Sequence, residues 1–223
     1  PTLEDARELG ARMVAIGKLA GRTTVALLSD MNQPLGNAVG NALEVIEAID
    51  ALHGGGPADF WEHCIHVSAE MLVLGKKASS YEEARTMSEE TIADGRAWEK
   101  FRELVTAQGG DVSYVDDPTK MTKASLIETV NAPRSGSLSQ VHARLIGEAA
   151  VALGAGRATK ADLVDHAVGL IIHHKVGDFL NEGEPLFTIH ANNAKQLEKA
   201  RVDVLKAHLF SDEDVQALPL FYD

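Results

Sequence analysis

Glu44 and Glu47 stand one helical turn apart in ALEVIEAID, a spacing that puts two carboxylates on one helix face, where they could share a proton or hold a metal ion. Solvated or salt-bridged surface is the commoner use of such a pair, so spacing alone assigns neither a role. His63 and His66 flank Cys64 at i and i+3, the start of a metal site, yet no further ligand follows at a recognisable interval. Cys64 itself reads as a small buried hydrophobe. His173 and His174 are adjacent in a strand-like run, where neighbours face opposite ways and cannot easily chelate one ion. Asp30 lies between an apolar run and a helix, a place where α/β proteins put functional side chains. The simpler reading has Asp30 or Asn32 bonding turn amides and capping the helix after Pro34. Gly154, Gly156 and Arg157 would cradle an anion at a helix start; they follow a helix, so a C-terminal cap accounts for them. No Gly-rich phosphate loop with a following Lys occurs in the 223 residues.

The elements that must position these groups can be traced from the chain's start. Thr2 and Asp5 have capping-box spacing, and Ala6, Leu9, Met13, Ile16 and Ala20 recur at helical intervals, predicting a helix to about Lys18. TTVALL, residues 23–28, suits a buried strand and leads into the turn-rich SDMNQPLGN. Residues 38–52 predict a second helix. Pro57 suits the start of a third, with Phe60, Cys64, Val67, Met71 and Leu74 as its stripe, and Ser80 with Glu83 forms a second capping box. Trp98, Phe101 and Leu104 mark a further helix. Met13, Met71 and Trp98 are assigned to core packing.

After the polar DVSYVDDPTKM the pattern changes. Residues 127–130 and 137–141 read as strands and residues 145–153 as a helix. Two β runs with turns at Gly177 and Gly183 follow, then a closing helix over residues 194–208. The expected fold class is α/β and α+β: an incomplete mixed α/β domain, mainly helical here, over residues 1–112, followed by a small hairpin-rich α+β domain over residues 113–223.

Thirty-three acidic against 21 basic residues give a net charge of -12, which argues against nucleic acid, since phosphate-backbone recognition needs Lys and Arg to displace counterions. No apolar run approaches the roughly 20 residues that span a bilayer, so no membrane partner is expected. One cysteine and no leader pattern point to a reducing, cytoplasmic location.

The run SDMNQPLGNAVGNALEVIEAID, residues 29–50, is similar almost residue for residue to the signature of the thymidine and pyrimidine-nucleoside phosphorylases. GGGPADF from Gly54, LGAGRATKADLVDHAVGL over 153–170 and VGDFLNEGEPLFTIHANN over 176–193 resemble the same family in the same order. The resemblance implies a helical and a mixed α/β domain that hold pyrimidine nucleoside and phosphate across a cleft, then a smaller α+β domain; this chain matches the later portions. It implies reversible phosphorolysis of thymidine- or uridine-type nucleosides to free pyrimidine and pentose 1-phosphate, with no required cofactor, in a homodimer. In the family a Lys-His-Ser-Thr-Gly-Gly loop holds phosphate, and an Arg, a Ser and a Lys hold the base. Neither segment occurs in these 223 residues, so no catalytic or substrate-binding residue is carried over, and the chain alone is expected to be inactive.

Some members bind a monovalent cation, potassium, through backbone carbonyls and one glutamate. The resemblance places three of those positions on Leu35, Ala38 and Glu47, and the rest on the phosphate loop, so the site is expected to be incomplete in this chain by itself. Apolar surface that the full domain covers is expected to favour a homo-oligomer. Two other classes stand beside the phosphorylase. VGDFLNEGEPL is also similar to half of a biotinyl or lipoyl carrier domain, a non-catalytic module that needs a lysine at an exposed hairpin tip; Lys175 instead precedes the Gly177 turn. A phosphoribosyltransferase of related fold would need a pyrophosphate-binding glycine motif that is not present.

Overall fold

A computed structural model describes residues 2–157 and 159–222. Thr2 caps the first helix, α1 (Leu3–Leu19): its hydroxyl accepts from the Asp5 amide at 3.2 Å, and the Asp5 carboxylate accepts from the Thr2 amide at 2.7 Å. Both orphan donors are thereby satisfied, as the spacing predicts. The apolar run that follows does not form the expected strand over residues 23–28. Only β1 (Leu28–Ser29) pairs, antiparallel with β9 (Phe221–Tyr222) at the far end of the sequence. A strand extends only as far as a neighbour satisfies its backbone, and this neighbour is two residues long.

Next come β2 (Ala38–Val39), α2 (Asn41–Leu52), α3 (Ala58–Leu74), α4 (Tyr81–Ala93), α5 (Arg96–Ala107) and the short α6 (Ser113–Asp116). Gly40, between β2 and α2, has φ 142°, and a Cβ there would sit 2.6 Å from the Val168 carbonyl oxygen; only glycine lets the two backbones come this close. Ser80 caps α4 through the Glu83 amide, but the Glu83 carboxylate turns to the amide and hydroxyl of Ser79, so the second capping box is half formed. α3 packs on α4 with the small Ala69, Ala84 and Ser88 buried.

Three core assignments are corrected. Met13 is 56% and Met71 66% exposed, and Cys64 is exposed. α3 buries Ile65 and Ala69, which turns Cys64 and Met71 outward, and Met13 lies on the open face of α1. Trp98 is half-buried against His53, with ring centroids 4.4 Å apart.

The later residues form β3 (Leu126–Asn131), β4 (Gly136–Val141), α7 (Ala143–Ala150) continued by a wide turn over Val151–Ala155, β5 (Gly169–Ile172), β6 (Phe179–Leu180), β7 (Pro185–Ala191), α8 (Ala194–Lys206) and β8 (His208–Ser211). The sheet order β2-β5-β7-β3 draws a strand from the early helical region into the later sheet, and β6-β4-β8 lies beside it. The apolar core is built here, from Leu138, Val141, Ile146, Leu170, Ile172, Phe187, Ile189 and Val204. The closing helix ends at Lys206, short of the expected His208. His208 instead begins β8, antiparallel to β4, where its ring stacks on Phe187. The small antiparallel sheets and the helices together make the mixed α/β and α+β fold that the sequence predicts. Among the described residues, no helix is long and apolar enough to cross a membrane.

Candidate functional site

The turn over residues 29–38 is held by residues far along the chain. The Asp30 amide donates to the Leu220 carbonyl at 3.0 Å, and its carboxylate accepts from the Asn32 amide at 3.2 Å, the Asn32 side chain at 2.6 Å and the Tyr222 hydroxyl at 2.8 Å. Asp30 therefore bonds the turn as the simpler reading had it and ties down the C-terminal strand as well, but neither it nor Asn32 caps a helix, because α2 starts only at Asn41 with Gly40 at its N-cap. The hydrogen bond to this carboxylate, with some burial, holds the Tyr222 phenol above its ordinary pKa. The Asn32 carbonyl accepts from the Ala143 amide at 2.9 Å, the Gln33 side-chain oxygen from the Val176 amide at 2.8 Å, and the Asn37 carbonyl from the Ile172 amide at 2.8 Å.

Between these tethers sits an ammonium. Lys175 Nζ donates to the Pro34 carbonyl at 2.6 Å and the Gly36 carbonyl at 2.5 Å, and pairs with Asp59 Oδ2 at 2.9 Å. Asp59 Oδ2 also accepts from the Gly36 amide at 3.2 Å, and Oδ1 from the Phe60 amide at 2.9 Å. Neither Lys175 nor Asp59 stood out by spacing. Asp59 lies in the GGGPADF run and Lys175 just before VGDF, so the resemblance passed over or beside both without giving either a role.

Leu35, Ala38 and Glu47 all line one cleft of about 940 Å³, with Pro34, Phe60 and His166 among its other walls. Glu47 Oε1 accepts from the Asn37 and Ala38 amides at 2.9 and 3.0 Å. Burial pushes the Glu47 carboxyl above its ordinary pKa, and the two amide bonds and the Lys175 charge oppose that rise. A Cβ on Gly36, which has φ 67°, would collide with Glu47 Oε2, so glycine here leaves room for the carboxylate against the turn. Glu44 accepts from the Gly40 amide at 2.8 Å, which makes it a helix-start acceptor rather than a partner of Glu47.

The other sequence candidates separate. His63 and His66 lie against Phe221, with centroids 5.1 and 4.2 Å away, and His66 Nδ1 is 2.7 Å from the Tyr81 hydroxyl. His173 Nε2 lies 2.9 Å from the Thr188 hydroxyl while His174 Nδ1 is 3.5 Å from Asp178. Among the described residues, no three His, Cys, Asp or Glu side chains converge on a metal position. Gly154, with φ 111°, ends the α7 turn and its carbonyl accepts from the Asp165 amide, in keeping with a C-terminal cap; Ala158, in the same glycine-rich stretch, lies outside the described residues. Lys175, with its ammonium committed to three acceptors, is not the free hairpin-tip lysine that a biotinyl or lipoyl carrier requires.

Comparison with known proteins adds a family context. Residues 137–210 match the family described as pyrimidine nucleoside phosphorylase C-terminal domain, and residues 1–98 the glycosyl transferase family, a/b domain. The chain is 48% identical over 221 residues to a pyrimidine-nucleoside phosphorylase of Geobacillus stearothermophilus, covering 99% of this chain and 51% of that one. It is 51% identical over 191 residues to that of Bacillus subtilis (86% and 44% covered) and 49% identical over 191 residues to that of Staphylococcus haemolyticus (86% and 44%). The chain thus spans about half the length of the curated relatives it matches.

Proposed function

Because this chain belongs to the pyrimidine-nucleoside phosphorylase family, we propose that it is the distal part of an enzyme that cleaves thymidine- or uridine-type nucleosides with phosphate. In that reaction a phosphate oxygen bonds to the sugar's anomeric carbon, the bond to the base nitrogen breaks, and the electron pair leaves with the pyrimidine. Catalysis of this kind needs phosphate held close to that carbon and donors aimed at the departing base. We assign those contacts to residues beyond these 223, which contain no Lys-His-Ser-Thr-Gly-Gly loop.

What this chain supplies is one wall of the cleft and a fixed turn. The observation that carries the reading is that nearly every residue of the family-signature turn is tied to the later half of the chain, from Asp30–Tyr222 to Asn37–Ile172. Under the same reading, residues 1–112 belong to the substrate-cleft domain and residues 113–223 to the smaller one that braces it.

Leu35 and Ala38 carbonyls and the Glu47 carboxylate would hold a potassium ion. They are hard oxygen donors, which suit such a cation, and the Gly36 clearance leaves the carboxylate beside the turn. Charge supports a cation here: Lys175 pairs with Asp59, while Glu47 is bonded to backbone amides and has no ion pair among the described residues. Such an ion would supply the second counter-charge and stiffen the turn.

Grafting residues 2–222 in place of the corresponding half of the Geobacillus enzyme tests the reading. The expected chimera releases uracil or thymine from the nucleoside in a phosphate-dependent way, whereas the 223-residue protein alone does not. Potassium chloride is expected to raise the chimera's melting temperature above that in equal tetramethylammonium chloride, and Glu47→Gln to remove the difference. A folded chimera without phosphorolysis would sink the reading.

Exposed Leu9, Met13, Ile16 and Leu19 form an apolar face along α1, which supports a homo-oligomer rather than a free monomer. Light scattering is expected to give a mass above that of one chain, and a clean monomer at high concentration would count against it. We place the protein's work in the cytoplasm, in keeping with its single cysteine and its bacterial phosphorylase relatives.

A further inference from the structure

The Lys175 side chain is 21% exposed, and its ammonium has three N–H donors facing three acceptors: the Pro34 and Gly36 carbonyls and Asp59 Oδ2. Two backbone carbonyls and a carboxylate are the kind of oxygen cage that a free monovalent cation also takes. Val176, the next residue, donates its amide to Gln33, and the Lys175 amide donates to Asp178 Oδ2 at 2.9 Å, so the lysine stem leaves a backbone that is itself anchored. The lysine reaches back 141 residues to Pro34.

We propose that Lys175 is a positioning residue whose ammonium serves as a tethered cation: it fills the cage on one side of the signature turn and thereby fixes the turn that carries Leu35 and Ala38. It pairs with Asp59 and leaves Glu47 bonded to the Asn37 and Ala38 amides with no ion pair of its own among the described residues, so that the neighbouring site keeps a carboxylate that a monovalent ion can balance. That last consequence rests on the reading of Leu35, Ala38 and Glu47 as cation ligands; the tethered cation itself does not.

The test uses the 223-residue protein in potassium-free buffer. Lys175→Ala is expected to lower the melting temperature by roughly 5 °C, the shift that a lost buried-side ion pair gives in a chain of this size. Methylammonium chloride, which brings the same three donors, is expected to raise the melting temperature of K175A above that in equal tetramethylammonium chloride, which has the charge and no N–H. The wild type should not distinguish the two salts, and the response should survive in the K175A/E47Q double variant, because the Lys175 cage does not include Glu47. A lost side-chain contact of merely structural kind would lower the melting temperature without this rescue.

If K175A does not fold, limited acetylation of the wild type followed by mass spectrometry decides: Lys175 is expected to react several-fold more slowly than the exposed Lys77 and Lys195. The proposal is overturned if K175A melts like the wild type, if the two salts act alike on it, if E47Q abolishes the rescue, or if Lys175 acetylates as fast as Lys195. A chimera that fails to respond to potassium would remove the Glu47 reading and leave the ammonium rescue untouched, so the two ideas fail separately.

Discussion

Replacing Phe187 with Ala lowers the unfolding free energy by about 3–5 kcal/mol, the range for deleting a fully buried aromatic ring. Phe187 is the largest fully buried side chain of the core and sits in the middle of β7. It is flanked by Val130 on β3 and Ile172 on β5 in the two ladders, and its ring stacks on His208 with centroids 5.5 Å apart. A cavity at this point cannot close easily, because the strands on both sides are fixed by their own hydrogen bonds and cannot move in without breaking register. Part of the loss is the transfer term for the ring and part is the void left behind. Urea unfolding checks the value: the midpoint should fall with an unchanged slope if the native state stays compact. A loss below about 1 kcal/mol would mean that the core collapses around the site, and that β7 is not the rigid centre described here. The variant also bears on function, since β5, paired to β7, supplies the Ile172 amide that holds Asn37.

How far such a core can be read from the chain differs between its two ends. Thr2 with Asp5, the β3 and β4 runs and the turn at Gly177 are local signals, and they form close to where the residues predict. Periodicity in α1 and α3 gives the right helices and the wrong interior. An apolar stripe shows that a face would gain by burial, but not that a neighbour exists, and Met13 and Met71 stay outside because the available neighbours meet these helices elsewhere. Residues 23–28 fail as a strand for the same reason: β propensity has no effect without a partner backbone. The pairing of β1 with β9 joins residues 28–29 to residues 221–222, and the Lys175 cage spans 139 and 141 residues; contacts of that separation leave no local pattern. The signature turn was legible as a turn, and its resemblance to a family pointed to Leu35, Ala38 and Glu47. Its bracing by Asp59, Lys175 and Tyr222 was not, because each is an ordinary residue until the fold brings it to the turn.

Acidification from pH 8 to pH 5 is expected to destabilise the fold, and His208 to be a main cause. The residue is 5% exposed; Nδ1 donates to the Val204 carbonyl at 2.7 Å, and among the described residues Nε2 is buried with no partner. A second proton would have to go on that nitrogen, in apolar surroundings with His174 near enough to repel it. Burial therefore holds the His208 pKa below its ordinary value, with His174 acting in the same direction and the Val204 bond opposing. Burial also lowers His63, His173 and His190. The sign follows from proton counting. The unfolded chain takes up protons near pH 6.5 and the folded chain only at lower pH, so stability is full above the unfolded value and falls as pH drops through it toward the folded one. Linkage limits the slope to about 1.4 kcal/mol per pH unit for each such histidine. His208→Leu keeps the volume apolar, and the Val204 carbonyl retains the Ala207 amide at 3.0 Å, so the variant should be close to wild type in stability at pH 8 and show a shallower loss toward pH 5. Urea unfolding across that range measures both slopes. Equal slopes in the two proteins would mean that the folded His208 accepts its second proton after all, which would require a partner for Nε2, a water or a shifted side chain, beside the buried Phe187 ring.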